Sequence, residues 1–264
     1  MTSANIQGQQ PERINRRRLV LFLLAVPVFF ALFMFLPAGT WAWDKGWLFT
    51  LVLLTVLALA ALVIWRVNPE LIVARNNPHQ GTKPWDRVLL WFLFTPFFAV
   101  FLVAALDDGR FHWFPTPWWI SALGYVLLLI GIGAMTWAQA VNKFFEPTVR
   151  IQADRGHKVI DTGPYAIVRH PGYVAGALLF VGIALALGSL WAMIPAGLAI
   201  VVLILRTKWE DQTLQAELAG YKEYAERVCF ISFLAKPRIR PIHSLRRVIV
   251  FSIRLILRPS RKGR

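Results

Sequence analysis

Hydrophobic residues make up 57% of the 264-residue chain and charged residues only 16%, which excludes an ordinary soluble domain and indicates an integral membrane protein. Lys and Arg number 29 against 14 Asp and Glu, a net charge of +15. These cations sit between apolar runs, which points to loops facing an anionic leaflet and away from a nucleic-acid binder. The single cysteine, Cys229, excludes an intramolecular disulfide and a cysteine-based metal cluster, and no metal site is expected.

Taken in order, residues 1–18 are polar, end in Arg16-Arg17-Arg18, and read as a cytoplasmic tail. No cleavable signal peptide is expected, because the following apolar run is long enough to remain as a helix. Leu19 to Ala38 is the first expected span, with Pro27 tolerated inside it. A short loop with Trp41, Trp43, Asp44 and Lys45 precedes a second span, Gly46 to Trp65. The polar stretch Arg66 to Arg87 leads to a third, Val88 to Leu106. A loop holding Asp107, Asp108, Arg110 and His112 leads to a fourth, Trp118 to Ala138. Asn142 to Gly172 is the longest polar segment between spans.

Tyr173 to Leu187 and Leu190 to Leu205 then form an expected hairpin joined at Gly188-Ser189. About 16 residues give a helix of roughly 24 Å, shorter than a hydrocarbon core of ~30 Å, so flanking residues must help it span. The fold expected is all-α and polytopic, with about six transmembrane spans. The last helix should continue past Leu205 through Arg206, Glu210 and Asp211, with Gly220 as a stop signal. Beyond it the chain turns basic. Arg247, Arg254 and Arg258 fall at helical spacing beside apolar residues, which reads as an interfacial amphipathic helix on anionic lipid.

The cation-rich segments are the N-terminal tail, the 66–87 and 142–172 stretches and the C-terminal region. The 39–45 and 107–117 loops are not cation-rich. Under the positive-inside rule both termini are cytoplasmic. Trp41, Trp43, Trp47, Trp113, Trp118, Trp119 and Trp191 then lie near the outer boundary, as anchoring aromatics do.

The chemistry-bearing stretch is Asp161-Thr-Gly-Pro-Tyr-Ala-Ile-Val-Arg-His-Pro-Gly-Tyr173. Gly163-Pro164 signals a turn. Pro171 biases His170 toward an extended backbone and suits the first position of a helix. The free N–H groups of that helix start suit a carboxylate or phosphate. Arg169 and His170 stand beside it, and Arg206 with Glu210-Asp211 stands at the other end of the hairpin. An antiparallel hairpin brings these two polar clusters to one depth, either as a binding rim or as headgroup-level salt bridges.

The motifs Gly163-Pro164-Tyr165, Val168-Arg169-His170-Pro171-Gly172-Tyr173, Arg206, Glu210-Asp211, Gly220 and Tyr224 resemble the pattern of the isoprenylcysteine carboxyl methyltransferase family and its relatives, the phospholipid N-methyltransferases. Asn142-Lys-Phe-Phe-Glu, Val149-Arg-Ile-Gln152 and Arg155-Gly-His157 look like that family's bacterial branch, which implies a bacterial cytoplasmic membrane. The resemblance covers roughly residues 139–228. Residues 1–120 match only as generic membrane helices, 19–138 hold the first four spans, and 229–264 form a basic interfacial tail where relatives usually close with a short apolar, proline-containing end.

The resemblance implies a membrane-embedded enzyme that binds S-adenosylmethionine in a cytoplasmic C-terminal part and methylates a lipophilic or membrane-accessible acceptor. Gly163, Tyr165, Arg169, His170, Pro171 and Tyr173 carry over as cofactor-cradle positions, with Glu210 and Asp211 as the paired acids. Arg169, Arg206 and Glu210 are the expected catalytic groups. The family more often has two glutamates where this chain has Glu210-Asp211. Two other readings stand beside this one: an NADPH-dependent enzyme of the sterol-reductase type, and a non-catalytic scaffold or transport-related protein on the same fold.

Overall fold

The computed structural model describes residues 16–75 and 81–230, and the basic tail and its Arg247, Arg254 and Arg258 lie outside them. The described chain is helical: α1 Arg16–Ala38, α2 Asp44–Val67, α3 Pro69–Arg75, α4 Pro84–Ala104, α5 Trp118–Val141, α6 Pro171–Ala186, α7 Met193–Glu217 and α8 Tyr221–Arg227. An isolated bridge between Val168 and Cys229 is the strand-like pairing among the described residues. Three helical segments, Asp44–Val67, Pro84–Phe111 and Trp118–Val141, are long and apolar enough to cross a membrane. The apolar part of α1, Leu24–Ala38, and α6 are shorter.

One core joins these helices. Met34 and Phe35 of α1, Phe49 of α2, Phe101 of α4, Leu128 of α5, Ile183 of α6 and Ala199 of α7 are all buried within it. In a bilayer such packing rests on shape, because lipid is as apolar as the helices, and small residues let backbones approach. The α5–α6 pair shows this directly. A Cβ at Gly124 would lie 2.1 Å from the Ala186 nitrogen, and one at Gly182 would lie 2.6 Å from the Leu128 nitrogen.

Three features differ from the sequence expectation. Asp107, Asp108 and Arg110 are not in a loop. α4 continues through a π-helical stretch, Ala105–Phe111, ended by His112 in a left-handed conformation. This stretch is fixed from several sides: Asp108 takes Lys45 Nζ at 2.5 Å and the Trp43 indole at 2.8 Å, and Asp107 takes Ser189 Oγ at 2.6 Å. The α6–α7 joint is also longer than Gly188-Ser189, running from residue 187 to 192, and Thr116 donates to the Gly188 carbonyl at 2.9 Å. Finally, α3 occupies part of the stretch read only as polar.

At the opposite end of the bundle the first turn of α4, the 142–170 connection, the continuation of α7 and α8 come together. Lys83 Nζ meets Glu217 at 2.6 Å, and Arg169 N–H donates to the Cys229 carbonyl at 3.1 Å. α7 runs unbroken through Arg206, Glu210 and Asp211 to Glu217. Gly220, at φ +79°, turns the chain into α8.

Candidate functional site

A cavity of about 320 Å³ opens at this polar end, within the usual range of small-molecule sites, roughly 300–1,000 Å³. Its inner wall is apolar, with Leu93 of α4, Phe180 of α6 and Leu203 of α7. Its outer wall is polar, with Glu146, Tyr165, His170 and Glu210.

The turn that begins the site needs glycine. Gly163 has φ +59°, and a Cβ there would lie 2.9 Å from Val141 Cγ2. It starts a 3-10 turn, Gly163–Ala166, that buries Tyr165 against the cavity. The Tyr165 hydroxyl accepts from Asn142 Nδ2 at 3.0 Å, and its carbonyl accepts from the Tyr224 hydroxyl at 2.7 Å. Burial pushes the Tyr165 phenol upward, so it stays protonated. Gly163 shapes this turn and does not itself line the cavity.

α6 begins at Pro171, as the Pro171 signal requires, with His170 as the residue before it. His170 and Asp211 are each 5% exposed, and His170 Nε2 donates to Asp211 Oδ1 at 3.0 Å. Asp211 is the hub of this end. It also accepts from Arg169 Nη1 at 3.1 Å, Tyr221 OH at 2.8 Å and Gln215 Nε2 at 2.6 Å. Burial opposes the Asp211 charge, but the His170 and Tyr221 hydrogen bonds and the charges of His170 and Arg169 outweigh it and hold the carboxyl at about 2. Arg169 also donates from Nε to the Val228 carbonyl at 2.8 Å and from Nη2 to the Ala225 carbonyl at 2.5 Å. The Arg169–Asp211 pair therefore clasps the hairpin to α8. Asp211, expected as a cradle residue, stands behind the cavity wall with its oxygens occupied.

Glu210, one residue earlier, faces the cavity and accepts the Tyr173 hydroxyl. The Tyr173 ring lies under the Arg206 guanidinium, 5.5 Å from ring centre to Cζ. Arg206 lines the cavity but directs Nε and Nη2 to Asp86, at 2.6 and 3.2 Å, and Nη2 to the Pro147 carbonyl at 2.6 Å. Of the sequence-derived residues, the structure places Tyr165, Arg169, His170, Pro171, Tyr173, Arg206 and Glu210 on the cavity, and Gly163 and Asp211 just outside it.

Two groups were given no site role by the sequence reading, although the second lies within the motifs that resemble the bacterial branch. Asp86 has no exposed surface and also accepts the Val149 N–H at 2.7 Å. Its one signal was an acid isolated in a cationic stretch, at the start of an apolar run. The second is the 146–150 segment, where Glu146 is held by Arg150 at 2.9 Å and 3.1 Å and lines the cavity. Glu146 and Arg150 stand four apart in an irregular segment, and a periodicity search has no purchase there. Nearby, burial pushes the His157 imidazole below its usual 6.5.

Fold and site thus define a class: a helical protein with membrane-length helices and an amphipathic cavity at one end of its bundle. The comparisons make this particular. Residues 119–219 match the family model described as phospholipid methyltransferase. Over 116 residues the chain is 30% identical to protein-S-isoprenylcysteine O-methyltransferase B of Arabidopsis thaliana, covering 42% of this chain and 58% of that one. Over 132 residues it is 28% identical to the cobalt-zinc-cadmium resistance protein CzcN of Cupriavidus metallidurans, covering 49% of this chain and 57% of that one. The chain therefore spans less than two thirds of either relative's length. The resemblance read from the motifs, to the isoprenylcysteine and phospholipid methyltransferase family, holds over this segment.

Proposed function

We propose that the protein is a membrane methyltransferase that uses S-adenosylmethionine and acts on a lipophilic acceptor, with six helices crossing the membrane and both termini in the cytoplasm. The observation that carries the reading is the two-faced cavity, polar where loop and hairpin meet and apolar where it reaches between α4, α6 and α7. The residues present suit the cofactor's chemistry. Glu210 offers a carboxylate, Tyr165 and Tyr173 offer aromatic faces, and the Pro171–Gly172 backbone lines the wall. A Cβ at Gly172 would lie 2.7 Å from the Phe145 ring, so a larger residue there would have to displace that ring.

When bound, S-adenosylmethionine would supply a methyl group on a positively charged sulfur. Displacement at that carbon is governed by alignment and by the surrounding charge. Glu210, steadied by the Tyr173 hydroxyl, supplies a negative charge for the sulfonium and an acceptor for an acidic proton. Arg169 and Arg206 shape the wall through their ion pairs. His170 has Nε2 committed to Asp211, so it holds its proton there and positions the helix start.

Two measurements test this. Full-length protein incubated with methyl-labelled S-adenosylmethionine and a membrane lipid extract should transfer label to an extractable lipid. Calorimetric titration should show binding of S-adenosylhomocysteine but not of NADPH. Binding of NADPH alone, or of neither, would remove the methyltransferase reading. Glu210→Gln should weaken S-adenosylmethionine roughly tenfold, the scale of a charged contact, and weaken the product, whose sulfur is neutral, less. Equal losses for both ligands would place Glu210 away from the sulfur.

A further inference from the structure

The two ring nitrogens of His170 have different surroundings. Nε2 donates to Asp211 Oδ1 at 3.0 Å, with the Tyr221 hydroxyl 3.3 Å away. A neutral imidazole with its proton on Nε2 carries a lone pair on Nδ1. Among the described residues, the buried side-chain polar atoms with neither a partner nor accessible surface are the hydroxyls of Ser121, Tyr125 and Thr148. His170 Nδ1 is not one of them, although the hydrogen bonds of the ring all run through Nε2. Nδ1 therefore keeps accessible surface. His170 is only 5% exposed and lines the cavity, so that surface belongs to the cavity.

The neighbours of the ring suit a proton acceptor. The Tyr173 ring, centred 5.9 Å from that of His170, carries the hydroxyl that Glu210 accepts. His170 thus stands one aromatic ring away from the carboxylate assigned to the sulfonium. Asp211 on the far nitrogen fixes the tautomer and would stabilise an imidazolium formed by proton uptake at Nδ1. Glu210 would cease to balance the sulfonium if it took the proton instead. The nearby guanidinium groups are poorly placed for an acceptor carboxylate. Arg169 has Nε, Nη1 and Nη2 on the Val228 carbonyl, Asp211 and the Ala225 carbonyl, and Arg206 has Nε and Nη2 on Asp86.

We propose that His170 is a catalytic base whose Nδ1 takes the proton of a thiol or amine acceptor during methyl transfer. The assignment rests on the reading of the cavity as a methyltransferase site. The acceptor sulfur or nitrogen forms a bond to the methyl carbon as the bond from that carbon to the cofactor sulfur breaks. The electron pair of the broken bond stays on the sulfur, leaving neutral-sulfur S-adenosylhomocysteine. The acceptor's proton moves to Nδ1 and passes from there to water. A carboxylate acceptor has no proton to lose and would leave this base without a task.

The first test asks whether Nδ1 is open. Full-length protein in detergent is treated with diethyl pyrocarbonate, which acylates unprotonated imidazole, and the modified histidines are mapped by mass spectrometry. His170 should react, as the exposed His112 does. Modification of His112 without His170 would show Nδ1 sealed off and overturn the assignment; this arm needs no variant and decides even if a variant fails to fold. The second test uses methyl-labelled S-adenosylmethionine with a membrane lipid extract. His170→Gln keeps a donor for Asp211 and removes the basic nitrogen. It should bind S-adenosylhomocysteine within about threefold of wild type, while methyl transfer falls roughly a hundredfold, the lower end for general-base catalysis. The wild-type rate should fall as pH drops from about 8 toward 5, and the variant should lack that fall. Asp211, Arg169, Tyr221 and Tyr173 are the other titratable groups around the ring. Label released from the product as methanol by alkali would mark a methyl ester, hence a carboxylate acceptor, and would overturn the proposal. A tenfold loss of S-adenosylhomocysteine affinity in folded His170→Gln would also overturn it, by making Nδ1 a cofactor contact. If wild type does not bind S-adenosylhomocysteine, the cofactor reading itself fails and takes this assignment with it.

Discussion

Asp86→Ala is the perturbation that best probes how the site is held. The Asp86 carboxylate accepts three hydrogen bonds, from Arg206 Nε, Arg206 Nη2 and the Val149 N–H, and its side chain has no exposed surface. The Arg206 side chain is only 10% exposed, so truncating Asp86 strands a guanidinium with the Pro147 carbonyl as a remaining tie. Breaking a buried pair from one side commonly costs ~3–5 kcal/mol, because the orphaned charge has lost both water and its partner. An exposed pair behaves differently. Lys83–Glu217, with side chains 28% and 44% exposed, should contribute no more than ~1 kcal/mol. Reversible unfolding by sodium dodecyl sulfate in mixed micelles measures both. Asp86→Ala should be destabilised several-fold more than Lys83→Ala, and protease should cut the 146–158 connection faster. The double variant Asp86→Leu with Arg206→Met should recover much of the loss, since no charge is then left unpaired. If Asp86→Ala lies within about 1 kcal/mol of wild type, or the double variant is worse than both singles, the reasoning about a buried tie is wrong.

Gly124→Val should unfold or misassemble the bundle, because its side chain would enter the α6 backbone at Ala186, whereas Gly133→Val, with nothing within 4 Å of its Cβ, should retain wild-type yield and midpoint. Burial lowers the His157 pKa below 6.5, so its contribution to stability is complete above 6.5 and is lost as pH falls through the lowered value. The detergent midpoint should therefore drop between pH 7 and pH 5, and His157→Gln should flatten that slope; an unchanged slope would assign it to other groups. The sequence spacing of Arg247, Arg254 and Arg258 leads us to expect tighter vesicle association of the full chain than of a variant with all three changed to Gln, on anionic lipid at low salt, with the difference fading as salt rises. Equal association on anionic and neutral vesicles would leave the apolar residues as the anchor.

What was legible in the sequence was what periodicity and local backbone rules encode. Long apolar runs placed the main helices, and the Gly163-Pro164 and His170-Pro171 dipeptides placed the turn and the start of α6. The meeting of Arg169 and His170 with Asp211 followed from hairpin geometry, which brings both ends of two adjacent helices to one depth. The division of labour within Glu210-Asp211 did not follow. Adjacent helical residues point about 100° apart, and only the position of α8 decides that Asp211 faces Arg169 and Tyr221 while Glu210 faces the cavity. The same limit applies to Arg206. A cation at a helix's membrane boundary reads as a headgroup anchor or a catalytic group, and its ion-pair partner Asp86 lies 120 residues away in sequence. The π-helical extension of α4 was hidden as well, since two adjacent aspartates and a glycine read as a loop, and the Lys45, Trp43 and Ser189 contacts that hold them as helix are all distant in sequence.

The matched segment, residues 119–219, does not contain a complete site. It supplies α5 from its second residue, α6, all of α7 and the connection that carries Glu146 and His170. Asp86 and Leu93 come from α4 before it, and Tyr221 and Tyr224 come from α8 after it. Both additions act on the same structural problem. The 142–170 connection is long and mostly irregular, so its backbone groups need partners outside itself. The start of α4 and the residue before it supply these on one side, through Asp86 and Lys83. α8 supplies them on the other, where Tyr224 holds the Tyr165 carbonyl and the carbonyls of Ala225 and Val228 hold Arg169. Arg206 and Asp211 of α7 are the relay points, since one pairs toward α4 and the other toward α8. With both committed outward, Glu210 is left between them as the α7 carboxylate facing the cavity. The geometry of the proposed cofactor site is thus set by helices on either side of the segment that matches the family model.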